Sequence, residues 1–245
     1  MIYEICVDSV AGVRAAKAAG AHRVELCADL LEGGITPSLG AIRQARTVAG
    51  IDVNGIIRPR GGDFLFDDDE FTAMRADIET AKAEGANGVV IGLLTATGEI
   101  DAGRTRELVA LARPLSVTFH RAFDVAAEPF RALETLIELG VDRVLTSGQE
   151  PSVLEGLPLI VELMKRAGDR IVIMPGGGIT GRNVERIVAA ARPREMHFAA
   201  LEPVVSAMTF RRAHVFMGGE LRPPEYARLD TSAALIRSVM AKASG

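Results

Sequence analysis

The chain has 245 residues, 48% of them apolar and 24% charged, the proportions of an ordinary globular protein. Its 28 Lys and Arg against 32 Asp and Glu leave a net charge of −4, so no basic surplus exists to drive phosphate-backbone binding, and nucleic acid is not an expected partner. No apolar run reaches the roughly 18–20 residues of a membrane span. That leaves no membrane partner expected, and with two cysteines there is no disulfide framework, so a reducing cytoplasm is the default compartment.

Short β-branched or aliphatic runs begin near Ile2, His22, Val53, Gly88, Leu115, Val141, Arg170 and Glu195, each followed by an amphipathic stretch. Eight starts at spacings of 20 to 35 residues predict repeated βαβ units and a parallel sheet. Eight such units in a chain of this length match an α/β fold of the (β/α)8 TIM-barrel type, with an open doubly wound sheet as the competitor. Glycines 20, 50, 85, 140 and 168 mark helix ends. Asp8/Ser9, the run Asp67–Glu70, Asp101 and Pro129 mark helix starts. No Pro/Ser-rich linker interrupts residues 1–245, so one domain is expected. Strand-to-helix connections are long at Ala28–Pro37, Pro59–Phe66 and Leu201–Pro224, and barrel active sites are built from such loops. Lys17, Lys82, Lys165 and Lys242, the only lysines, all fall in predicted helices, which leaves none for Schiff-base chemistry.

In chain order, the first strand carries Glu4 and Cys6 on one face and the second carries Glu25 and Cys27 on one face, with Val24 and Leu26 toward the helices. Two inward glutamates need partners. They form either a structural network with arginine or a catalytic or metal-binding pair. The cysteines are either small core residues or soft ligands for Cu(I) or zinc. Arg58 and Arg60, at the end of the third strand, serve a buried carboxylate or an anionic substrate. His120, sharing a face with Thr118, and His197 are candidate acid/base groups or metal ligands, against satisfied structural histidines. Asp124 closes the same stretch as His120 and is a candidate substrate contact. Gly176-Gly177-Gly178-Ile179-Thr180-Gly181 has the spacing of a dinucleotide fingerprint but falls in the seventh unit, where that fold does not place it. In a barrel, Gly177 and Gly178 form either an anion site or a tight turn.

Several long motifs stand in order along the chain: Arg23-Val24-Glu25-Leu26-Cys27, Gly33-Gly34-Ile35-Thr36-Pro37-Ser38, Ile57-Arg58-Pro59-Arg60-Gly61-Gly62-Asp63-Phe64, Thr118-Phe119-His120-Arg121-Ala122-Phe123-Asp124 and Leu145-Thr146-Ser147-Gly148. Together they resemble the copper homeostasis protein CutC family, from Ile2 to about His197. The resemblance implies a cytoplasmic barrel, a homo-oligomer (dimer or tetramer), with its site at the strand C-termini. It also implies a role in copper handling, with Cys6 and Cys27 where a Cu(I) site would be sought. The residues alone leave a second reading open: a metal-assisted isomerase or lyase on a small anionic or carbonyl compound. Glu4, Glu25, His120 and His197 would be its catalytic groups, and Arg58, Arg60, Asp124, Gly177 and Gly178 its substrate contacts. Its metal would then be a divalent ion, or none. Whether the chain is an enzyme at all is not legible from the residues.

Overall fold

A computed structural model describes residues 1–212, 214–216 and 226–245. Eight parallel strands, β1 (Ile2–Val7), β2 (Arg23–Leu26), β3 (Asp52–Ile56), β4 (Gly88–Ile91), β5 (Ser116–Phe119), β6 (Arg143–Thr146), β7 (Val172–Pro175) and β8 (Glu195–Phe198), pair in sequence order, with β8 returning to β1. A parallel bridge between Gly176 and His197 closes the ring between β7 and β8. Helices α1 (Val10–Ala19), α2 (Leu39–Arg46), α3 (Asp68–Ala83), α4 (Ala102–Ala112), α5 (Pro129–Glu138), α6 (Val153–Ala167), α7 (Val184–Ala191) and α8 (Ala233–Ser244) follow the strands. This is the expected (β/α)8 barrel, with strand starts within two residues of the sequence reading. No helix among the described residues is long and apolar enough to cross a membrane.

Local chemistry explains the punctuation. Ser9 caps α1 by accepting from the Gly12 amide, Asp101 caps α4 by accepting from Arg104, and Asp67 with Glu70 forms a reciprocal capping box on α3. Gly20 ends α1 at φ 89°, a left-handed conformation that costs a glycine little.

The long segment after β8 is not a structureless loop. Within it, β9 (Leu201–Val205) pairs antiparallel with β10 (Ala227–Thr231), and this ribbon delivers the chain to α8. Residues 213 and 217–225 of that segment lie outside the described residues.

Alternation along the strands sorts side chains into two populations. Ile5, Val7, Val24, Leu26, Val89 and Val117 face outward into the strand–helix core. Phe198 joins them and packs edge-on against Tyr3, so it does not line the barrel interior. The apolar interior cluster is small: Cys27, Ile56 and Val90, with Cys6 and Leu30 beside them. A typical barrel interior is packed with bulky branched residues. Here most of the interior is polar, and that positions the site.

Candidate functional site

The lower interior is an ion-pair network. Arg23 bonds Glu4 through Nε and Glu195 through Nη2, the latter at 2.5 Å. Arg143 reaches the same Glu195 oxygen at 3.1 Å and also donates to the hydroxyls of Ser116 and Thr118. Two guanidinium groups therefore face two carboxylates. Glu4, fully buried, additionally accepts from Asn54 at 3.4 Å and from His197 Nδ1 at 2.8 Å. Burial pushes its carboxyl up, but the His197 hydrogen bond and the Arg23 charge outweigh it and hold the group at about 2.

Above this layer the remaining sequence candidates meet. Cys6 and Cys27 place their sulfurs 3.8 Å apart. The Cys27 thiol lies 3.5 Å from Glu25 Oε2, which is 3.8 Å from His197 Nε2. Ligand atoms of Cys6, Glu25 and Cys27 all lie within 4.8 Å of one another. The hydrogen bond from Cys27, helped by that of His197, pulls the Cys6 thiol down to about 5 against its burial. The same bond with Cys6, together with burial, pushes Cys27 well above its ordinary value. Burial, with a Cys6 thiolate beside it, raises Glu25 to about 8. Burial also opposes charge on His197, but Cys6, Glu4 and Glu25 outweigh it and raise the imidazole. The result is a thiolate–imidazolium pair seated on a buried carboxylate, next to a neutral thiol and a neutral carboxylic acid. Close approach of β7 lets His197 take this place: a Cβ on Gly176 would lie 3.1 Å from the histidine's Cβ.

Other candidates have different partners. Arg58 does not serve Glu4 or Glu25. Its Nη atoms donate to the carbonyls of Glu32, Gly34 and Gly62 and pin the two loops after β2 and β3 together. Arg60 lies on the outside of the mouth, paired with Glu70 and Asp63, and is not brought to the cluster. Asp124 accepts from Thr146, Ser147, Gln149 and Arg121, which ties the β5 and β6 loops together. Gly177 and Gly178 adopt φ of 122° and 70° in a turn whose carbonyls accept from the Val153 amide and the Asn183 side chain. His120, buried at the top of the interior, accepts from the Ala122 amide through Nδ1.

Among buried side-chain atoms without a protein partner are Glu25 Oε1, Arg58 Nε and His120 Nε2. Each such group costs about 1–3 kcal/mol. Sequence reasoning missed Arg23, Arg143 and Glu195. Alternation offered a signal for two of them, since Arg23 shares the Glu25 face and Glu195 the His197 face.

The fold and site define a (β/α)8 barrel with a polar interior and a buried dithiol–carboxyl–imidazole cluster. The model of the CutC family matches residues 1–202, and the chain belongs to that family. It is 50% identical to the mouse copper homeostasis protein cutC homolog, over 98% of this chain and 88% of the relative. It is likewise 50% identical to a family protein CutC of Chromobacterium violaceum, over 97% of this chain and 96% of that one. The crystal structure of a putative copper homeostasis protein CutC from Streptococcus agalactiae superimposes with a TM-score of 0.77 at 33% identity, covering 81% of this chain and 98% of that one. The family match ends at residue 202, just inside β9, whereas the mouse and Chromobacterium relatives align along nearly the whole chain.

Proposed function

We propose that the protein binds one Cu(I) ion between Cys6 and Cys27 and so takes part in copper handling. The observation that carries this reading is the pairing of two inward thiols 3.8 Å apart in the barrel interior, beside the apolar side chains of Ile56 and Val90. Thiolates are the soft ligands that Cu(I) prefers. At a metal–sulfur bond of about 2.3 Å, as for zinc thiolates, a linear ion would need sulfurs roughly 4.6 Å apart. The observed separation suits a bent arrangement with a third ligand, and His197 Nε2 and Glu25 Oε2 are the adjacent donors. Cys6, already drawn toward its thiolate, is the natural first ligand. Cys27 gives up its proton on binding. The names of the relatives agree with copper as the cargo.

Anaerobic titration with Cu(I), read by native mass spectrometry, tests the proposal. One equivalent is retained by the wild type and lost in Cys6→Ser/Cys27→Ser, with Zn2+ competing poorly. Unchanged binding in the double variant removes the site, and preferential retention of zinc replaces copper as the cargo.

A further inference from the structure

The top of the barrel interior holds two nitrogen donors that the copper cluster does not use. Arg58 is 6% exposed and His120 4% exposed. Three carbonyls engage the Nη atoms of Arg58, at 2.7, 3.0 and 2.8 Å, and fix the guanidinium while no protein group accepts from Nε. His120 Nδ1 accepts from the Ala122 amide at 3.1 Å, which places the ring proton on Nε2, and no protein group accepts there either. Burial and the neighbouring Arg58 charge hold the imidazole down to about 3, so it remains a neutral donor at ordinary pH.

Both side chains lie against Phe64. Its ring centroid is 5.0 Å from Arg58 Cζ and 5.0 Å from the His120 ring, to which it is tilted by 50°. Strand β4 runs between β3 and β5 and is followed by Gly92, where an added Cβ would come within 2.3 Å of His120 Cε1. The histidine ring therefore leans across the glycine, over β4. The Phe64 backbone is held by a bond from the Leu94 amide to its carbonyl, which keeps the ring over the pair.

We propose that Arg58 Nε and His120 Nε2 form a subsite for the carboxylate of a small organic acid, roofed by Phe64. The charge balance selects the ligand class. One guanidinium beside one neutral donor matches a single negative charge. A phosphate group carries about −1.5 to −2, and the next cation, Arg60, is committed to Glu70 and Asp63 outside the mouth. The subsite rests on no thiol and goes beyond the copper reading. Its failure and the failure of that reading are separate events.

The test is a titration of the full chain, labelled with 15N-histidine, with acetate and pyruvate, and with inorganic phosphate at matched ionic strength. The His120 Nε2 resonance, identified by its absence in His120→Ala, should move saturably with the carboxylates and not with phosphate. An intermolecular Overhauser contact should link the acetate methyl to the Phe64 ring. Arg58→Lys keeps the charge but removes Nε, and should weaken the midpoint about tenfold or more, which corresponds to about 1.4 kcal/mol. If Arg58→Lys does not fold, the wild-type shift and Overhauser contact decide alone. A linear or absent shift, no contact to Phe64, or phosphate binding as tightly as acetate each overturns the proposal.

Discussion

Replacing Glu4 with Gln separates a structural role from a catalytic one. The substitution keeps the shape of the side chain and removes its charge from a fully buried position flanked by Arg23 and His197. At about 1.36 kcal/mol per pH unit, a carboxyl carried from an ordinary 4.5 to about 2 contributes roughly 3 kcal/mol to stability. That falls within the ~3–5 kcal/mol typical of breaking a buried ion pair from one side. For a chain of this size it corresponds to a melting point lower by about 6–12 °C. The sign of the pH dependence follows. Because the folded carboxyl is depressed, its contribution is complete above about 4.5 and is lost as pH falls toward about 2. Wild type and variant should therefore differ most at neutral pH and converge in acid. The loss should spread upward as well, since Glu4 holds the imidazolium that faces Cys6. Thermal melts from pH 3 to 7 on both proteins, with Cys6 alkylation followed in parallel, make the comparison. A variant within about 0.5 kcal/mol of wild type at neutral pH, the range of an ordinary surface change, would refute the structural reading of Glu4.

Cys6 should alkylate with a midpoint near pH 5 while Cys27 stays unreactive into the alkaline range, because one sulfur donates its proton to the other. Iodoacetamide labelling resolved by peptide mass spectrometry reads the two separately, and a Cys6 that titrates like a free thiol contradicts the pairing. Arg58→Lys should cost about 2–3 kcal/mol by loosening carbonyl contacts from a charged donor, and limited proteolysis should then cut within residues 28–37 faster than in the wild type, equal rates contradicting the pinning role. Gly176→Ala would place a Cβ 2.4 Å from Leu145 Cδ1 and 3.1 Å from His197 Cβ. A cost of about 1–3 kcal/mol, with faster amide exchange along β7 and β8, is expected there, and unchanged exchange would mean that the barrel seam tolerates the extra carbon.

The barrel was legible because alternation and glycine punctuation are local signals, and each strand start could be read from a few neighbouring residues. The same alternation put Glu4, Cys6, Glu25 and Cys27 inside. It could not say which interior side chain meets which, because that depends on strand register across a ring closed only at Gly176 and His197. Glu4 and Glu25 look equivalent in sequence, yet one sits beside Arg23 and the other beside two sulfurs. That the Arg58 Nη atoms would meet the carbonyls of Glu32, Gly34 and Gly62 was not legible, because a sequence does not show where loop carbonyls will fall. The ribbon of β9 and β10 escaped notice because Pro203 interrupts one strand and Arg228 and Asp230 lie on the other.

The distribution of unsatisfied atoms bears on where function lies within so polar an interior. Burying charge is tolerable only when it is paired and hydrogen-bonded. The lower layer meets that condition, since Arg23 and Arg143 face Glu4 and Glu195 and the remaining donors find hydroxyls or carboxylates. Asn54 Oδ1, beside Glu4, is an exception among its uncharged groups, being buried without a protein partner. The unpartnered atoms of ionisable side chains among the described residues, Glu25 Oε1, Arg58 Nε and His120 Nε2, stand on β2, just beyond β3 and just beyond β5, nearer the C-terminal ends of the strands. That is the face on which barrels of this kind carry their chemistry. A rigid, self-neutralising floor keeps His197 charged and oriented, and so leaves the groups above it free to meet a ligand rather than one another.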